Sequence, residues 1–129
     1  MNDYAMTKSL DAGYDETVEK VKAELKEEGF GVLTRIDVKA TLKEKLDADF
    51  RRYEILGACN PPLAKRALEA ELPIGVMLPC NVVVWETDEG RAEVAAFNPM
   101  EAFPAEASPT LKELADEVSG RLKRVLDRL

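Results

Sequence analysis

The spacing of hydrophobic positions changes period several times along the chain, and each change marks an element. From Tyr4 to Leu10, Tyr4, Met6, Lys8 and Leu10 alternate with Ala5, Thr7 and Ser9, the two-residue period of a strand with one weakly apolar face. Tyr14, Val18, Val21 and Leu25 then fall three and four apart. Asp15 and Glu16 stand in the first turn of that run and Gly29 stops it, so a helix is predicted over Tyr14 to Glu28. Period two returns over Phe30 to Ile36, with Phe30, Val32, Thr34 and Ile36 set against Gly31, Leu33 and Arg35. Asp37 occupies an N-cap position ahead of a short helix over Val38 to Leu46. Arg51 to Leu56 is predicted as the third strand, with Tyr53 and Ile55 on one face and Arg52 and Glu54 on the other.

Asn60, Pro61 and Pro62 read as a cap followed by proline in a first helical turn, where its missing N–H costs nothing, and the helix runs to about Glu71. Periodicity leaves the conformation of Ile74 to Leu78, between Pro73 and Pro79, undetermined. Val82 to Thr87 and Arg91 to Phe97 flank the turn Asp88-Glu89-Gly90 as a hairpin. Asn98 to Ala107, interrupted by Pro99 and Pro104, reads as a loop. Ser108 and Pro109 then open a last helix whose apolar face is Leu111, Leu114, Val118, Leu122, Val125 and Leu129. The order is strand, helix, four strands and helix, with short helices inserted between strands two and three and strands three and four. It predicts one domain over residues 1–129, an α+β two-layer sandwich. In strand four, Val82 and Val84 point to one side and Val83 and Trp85 to the other, so both faces call for cover, from the inserted helices or from a second copy.

Three segments carry a family resemblance: Gly29-Phe-Gly-Val-Leu-Thr-Arg-Ile-Asp37, Leu56-Gly-Ala-Cys-Asn-Pro61 and Leu78-Pro-Cys-Asn-Val-Val-Val84. With them the chain resembles, over essentially its whole length, the prokaryotic family called domain of unknown function 302. The resemblance implies a five-stranded antiparallel sheet in a fold like each half of the TATA-binding protein. It also implies a homodimer, and it implies no established activity. Fold likeness alone does not carry DNA binding with it.

Charge and composition narrow the chemistry. The chain of 129 residues has 18 basic and 25 acidic side chains, a net charge of −7, and no histidine. Ser-His-Asp and Cys-His catalysis and histidine-ligated zinc are therefore excluded within one chain. The acidic balance argues against nucleic acid as a partner. Arg121, Lys123, Arg124 and Arg128 form the one local basic cluster, read as cations complementing a helix C-terminus. Met1 to Tyr14 lacks the apolar stretch of a signal peptide, and the longest apolar runs are strand-sized, so no membrane association is expected. The expected compartment is the cytoplasm, with both cysteines as reduced thiols.

The candidate site is Cys59, Asn60, Cys80 and Asn81, the two Cys-Asn turns. Cys59 precedes an N-cap, where free N–H groups and the helix dipole favour anions and thiolates. Cys80 opens strand four. For each cysteine a buried packing role, a thiol site, a disulfide and metal ligation stay open, although two sulfurs 21 positions apart without histidine make a poor zinc set. Asp37 reads as a cap before it reads as a general base. Tyr53 reads as a core ring, Trp85 as a core or interface anchor, and no glycine-rich phosphate loop occurs. Two functions follow: a binding or sensing module for a small molecule, with its pocket at the Cys-Asn turns and no cofactor, or a thiol redox protein with Cys59 as nucleophile and Cys80 as its resolving partner.

Overall fold

The computed structural model describes residues 3–103 and 106–129. Its sheet contains β1 (Ala5–Leu10), β2 (Gly31–Asp37), β3 (Tyr53–Cys59), β4 (Cys80–Glu86) and β5 (Ala92–Phe97), in the spatial order β1-β5-β4-β3-β2. Every neighbouring pair is antiparallel. The helices are α1 (Tyr14–Glu27), α2 (Val38–Leu46), α3 (Pro61–Ala70), α4 (Pro99–Ala102) and α5 (Pro109–Asp127), with a 3-10 turn over Leu72–Met77. The α+β architecture and the antiparallel five-stranded sheet are those the sequence leads one to expect.

Local chemistry fixes the helix starts. Oδ1 of Asp37 accepts the N–H of Ala40 at 3.0 Å, so Asp37 serves as the cap of α2. Asn60 and Ser108 cap α3 and α5 in the same way, accepting from Leu63 and Leu111, each at 3.2 Å. Helix α1 starts at Gly13, whose N–H donates to the carboxylate of Glu16 at 3.1 Å.

One face of the sheet carries α1 and α5. Leu56, Ala58, Cys80, Val82, Val84, Ala92, Val94 and Ala96 project from it onto Val18, Val21, Leu25, Leu122 and Val125 to form the main core. A second, smaller core lies beyond the sheet's end, where Leu63 and Ala67 of α3 and Ile74 of the 3-10 turn meet Leu111 and Leu114 of α5. Helix α5 belongs to both cores.

Several details depart from the sequence reading. A bulge between Val32 and Thr34 interrupts β2: Val32 lies opposite Ala58, Thr34 opposite Gly57, and Arg35 opposite Leu56. The simple alternation expected there breaks, and Arg35 comes round to the helix side. Strand β3 continues past Leu56 to Cys59, and its polar residue Glu54 faces inward, 5% exposed. Its inward position is possible because Arg35 grips it with two bonds, Nε to Oε2 at 2.6 Å and Nη2 to Oε1. Tyr53 consequently stands on the outer face, stacked on Trp85 with ring centroids 5.8 Å apart, and is not a core ring. The segment Asn98 to Ala107 contains the short helix α4, capped by Asn98, whose Oδ1 accepts from Met100 at 3.2 Å. Pro104, read as part of that loop, lies outside the described residues.

Candidate functional site

Pairing of β3 with β4 sets Ala58 opposite Cys80 and Gly57 opposite Asn81. Cys59 is the last residue of β3 and Asn60 caps α3, so the first Cys-Asn turn lies diagonally across from the start of β4. Cys59, Asn60 and Cys80 all border one half-open cavity of about 290 Å³. It occupies the gap between the two cores. Phe30, Ala58 and Cys80 bound it on the sheet side, and Leu63, Ala67 and Leu114 on the side of the smaller core.

Asn81 is separated from this group. Its side chain leaves the strand on the opposite face, where it is exposed and borders a different hollow with Val76, Met77 and Phe97. Successive side chains of a strand alternate between faces, so a Cys-Asn pair inside β4 cannot send both residues to one site. The first pair escapes this rule because Asn60 has already left the strand.

The two cysteines are free and differ in environment. Cys80 is buried, and desolvation, with a smaller contribution from the neighbouring Cys59, pushes its thiol up to about 11. Cys59 is half-buried at the mouth. Among the described residues no group of three or more Cys, Asp or Glu side chains converges as metal ligands would.

Asn60 is 9% exposed and serves two neighbours at once. Its Oδ1 accepts the capping bond from Leu63, while its Nδ2 lies over Gly29, 2.9 Å from where a Cβ on that residue would be. Gly29 has φ +84°, so the position favours glycine on conformation as well as on space. Arg121 reaches the same spot, with Nη1 3.3 Å from it, and donates to the carbonyl of Glu28 at 2.9 Å. Arg124 is tied to Glu28 and Arg128 to Glu24 and Glu28, which holds the end of α5 to the end of α1, while Lys123 pairs with Asp127 within α5.

The apolar walls were not legible as a site. Leu63, Ala67 and Leu114 carry the ordinary spacing of a buried helix face, and nothing in that pattern separates a face that meets another face completely from one that leaves a gap. A hint lay in Gly57: a Cβ there would stand 2.0 Å from Oγ1 of Thr34 and 2.8 Å from the ring of Pro79, which fixes how closely the turn before β4 approaches β3.

The architecture and the cavity together define a small α+β domain with an apolar pocket at one end of its sheet. The model of the family described as Domain of unknown function DUF302 matches residues 6–129, and the chain belongs to that family. Among solved structures it is similar to an uncharacterized conserved protein DUF302 from Bacillus stearothermophilus, with TM-score 0.88, 36% identity and 97% of each chain covered. No curated protein matches the chain.

Proposed function

We propose that this protein binds a small, mostly apolar molecule in the cavity between its two cores, at the turn formed by Cys59 and Asn60 and the start of β4 at Cys80. The observation that carries the reading is the cavity itself. It is of the size and apolar character of a small-ligand site, with a few polar groups placed in its wall. Its binding is tested by titrating isotope-labelled protein with ethylbenzene and following methyl resonances of Leu63, Leu114 and Val118. Saturable shifts at these residues are expected in the wild type and not in Ala64→Phe, which fills the mouth. Absence of shifts in folded wild-type protein would end the proposal.

Thiol redox chemistry has less support. A resolving thiol must ionise to attack, and a group pushed up to about 11 is thiolate to only about one part in ten thousand at pH 7.

We further propose that the protein works as a homodimer and does not engage nucleic acid. In favour of the second point, Arg121, Lys123, Arg124 and Arg128 of the basic cluster are each paired with a carboxylate and the net charge is −7. Among the described residues no helix is long and apolar enough to cross a membrane.

A further inference from the structure

The cavity has an uncharged wall and, beside its mouth, a charged one. Among the described lining residues of the cavity none is charged, so an ionised group drawn inside would leave water without a counter-charge, which is strongly unfavourable. Helix α3 forms one edge of the mouth. Leu63 and Ala67 face the cavity, and Ala64 and Leu68, one turn apart, stand at the next positions round the helix. Ala64, Leu68 and Cys59 also line a shallower hollow of about 400 Å³, which takes in Pro61, Lys65 and Glu69 on the far side of that ridge. The ridge is low where the small side chains of Ala64 and Cys59 form it. The hollow at Asn81 shares Leu78 and Pro79 with the cavity, and no charged residue lines it. A molecule with its apolar part in the cavity therefore finds its charged neighbours across Ala64. There, Nζ of Lys65 is 3.1 Å from the carboxylate of Glu69, and both side chains are largely exposed. Exposed pairs contribute little, and lysine four residues before glutamate is the weaker order on a helix. Lys65 can exchange Glu69 for another anion at small cost, leaving Glu69 in water.

Resting on the binding reading above, we propose that the ligand is a single-chain amphiphile with an anionic head, a fatty acid. Its chain fills the cavity and crosses the ridge at Ala64, and its carboxylate lies in the outer hollow against Lys65. The cavity of about 290 Å³ sets the length of the chain. At about 30 Å³ per water-sized group it holds roughly ten chain atoms, a medium-length tail. The uncharged wall takes the hydrocarbon and keeps the head outside.

Octanoate, 1-octanol and ethylbenzene, titrated into isotope-labelled protein at about pH 7.5, test this. Octanoate is expected to shift the methyl resonances of Leu63, Leu114 and Val118 and, with the same saturation, the Cε–H resonances of Lys65. Lengthening the fatty acid from about six to ten carbons should tighten binding roughly tenfold for each two carbons, and further carbons should add little. Lys65→Gln should weaken octanoate about threefold and Glu69→Gln should strengthen it about twofold, the scale of an exposed charge pair, with 1-octanol unmoved by either. Both side chains are exposed, so neither variant endangers the fold. The proposal is overturned if octanoate leaves the cavity methyls unmoved while ethylbenzene shifts them. It is overturned equally if octanoate binds about tenfold more weakly than 1-octanol, or if the two variants alter octanoate and 1-octanol alike. If none of the three probes shifts those methyls, the binding reading itself falls and this proposal with it, an outcome distinct from binding without an anionic head.

Discussion

Burial separates two cysteines that occupy similar sequence contexts. Cys80 projects into the core while Cys59, at the end of β3, reaches the cavity mouth. Native protein treated with iodoacetamide at pH 8 should be modified at Cys59 and not at Cys80, with both reacting after denaturation; mass spectrometry of the peptides reads the outcome, and equal labelling of both in the native state would contradict it. The same burial makes stability depend on alkaline pH. The folded thiol of Cys80 ionises near 11 against an ordinary 9.0, so the unfolded chain loses its proton first. The stabilisation is complete below about pH 9 and is lost as pH rises from there towards 11, in total roughly 3 kcal/mol for this group. Tyr14, raised to about 12 chiefly by desolvation, adds a further loss above pH 10. Denaturant melts of wild type and Cys80→Ala between pH 8 and 10.5 should show the steeper decline in the wild type. A different constraint acts at Gly57, where Gly57→Ala would drive a methyl into Thr34 and Pro79. It should destabilise by about 1–3 kcal/mol, measured as a lower denaturation midpoint.

Strands β2 and β3 show how far pattern reaches at the level of elements. Their existence follows from alternation, as do the caps Asp37, Asn60 and Ser108 from side-chain oxygens placed before helical runs. Their facing does not follow. One extra residue at the bulge moves Arg35 inward, and Glu54 is admitted to the inner face only because Arg35 arrives there. The two events are coupled across strands 19 residues apart, beyond any local window. For the same reason Cys59, Asn60 and Cys80 could be proposed as one site from sequence, whereas the departure of Asn81 to the other face depended on β4 already being regular at Cys80. The ion pair supplies its own test. Arg35→Leu alone leaves a carboxylate buried without its partner, and because the Arg35 side chain is 53% exposed the cost is discounted to about 2 kcal/mol. Adding Glu54→Leu should recover most of that loss, and a double variant no more stable than Arg35→Leu would show that the pair is not the cause.

The whole molecule leaves one sheet face without a helix layer. Opposite the side that carries α1 and α5, Ile36, Ile55, Val83 and Ala95 stand in one row across β2, β3, β4 and β5. Trp85 and Tyr53 stack beside that row, with Phe50 against Tyr53 at 6.3 Å. The inserted helices do not roof it: α3 packs with the 3-10 turn and α5, and α2 leans on β2 and β3 without burying a single residue. A nine-residue helix with no buried side chain has little stability of its own, and Leu46 at its end is 69% exposed. A second copy answers both deficits, since an apolar row laid against its own symmetry mate is self-complementary and the helix would gain a surface to rest on. An ordinary interface would cover about 800 Å² of each chain, which a four-strand apolar face flanked by a helix can supply. Light scattering at micromolar concentration should give twice the chain mass of 14.3 kDa. Val83→Lys should give a monomer, because a charge at the centre of the row must be desolvated in the dimer and stays in water in the monomer. Circular dichroism of Val83→Lys should keep the wild-type helix and strand signal apart from a loss at α2. A wild type that scatters as a single chain, or a Val83→Lys protein that still scatters as two, would rule out this face as the interface.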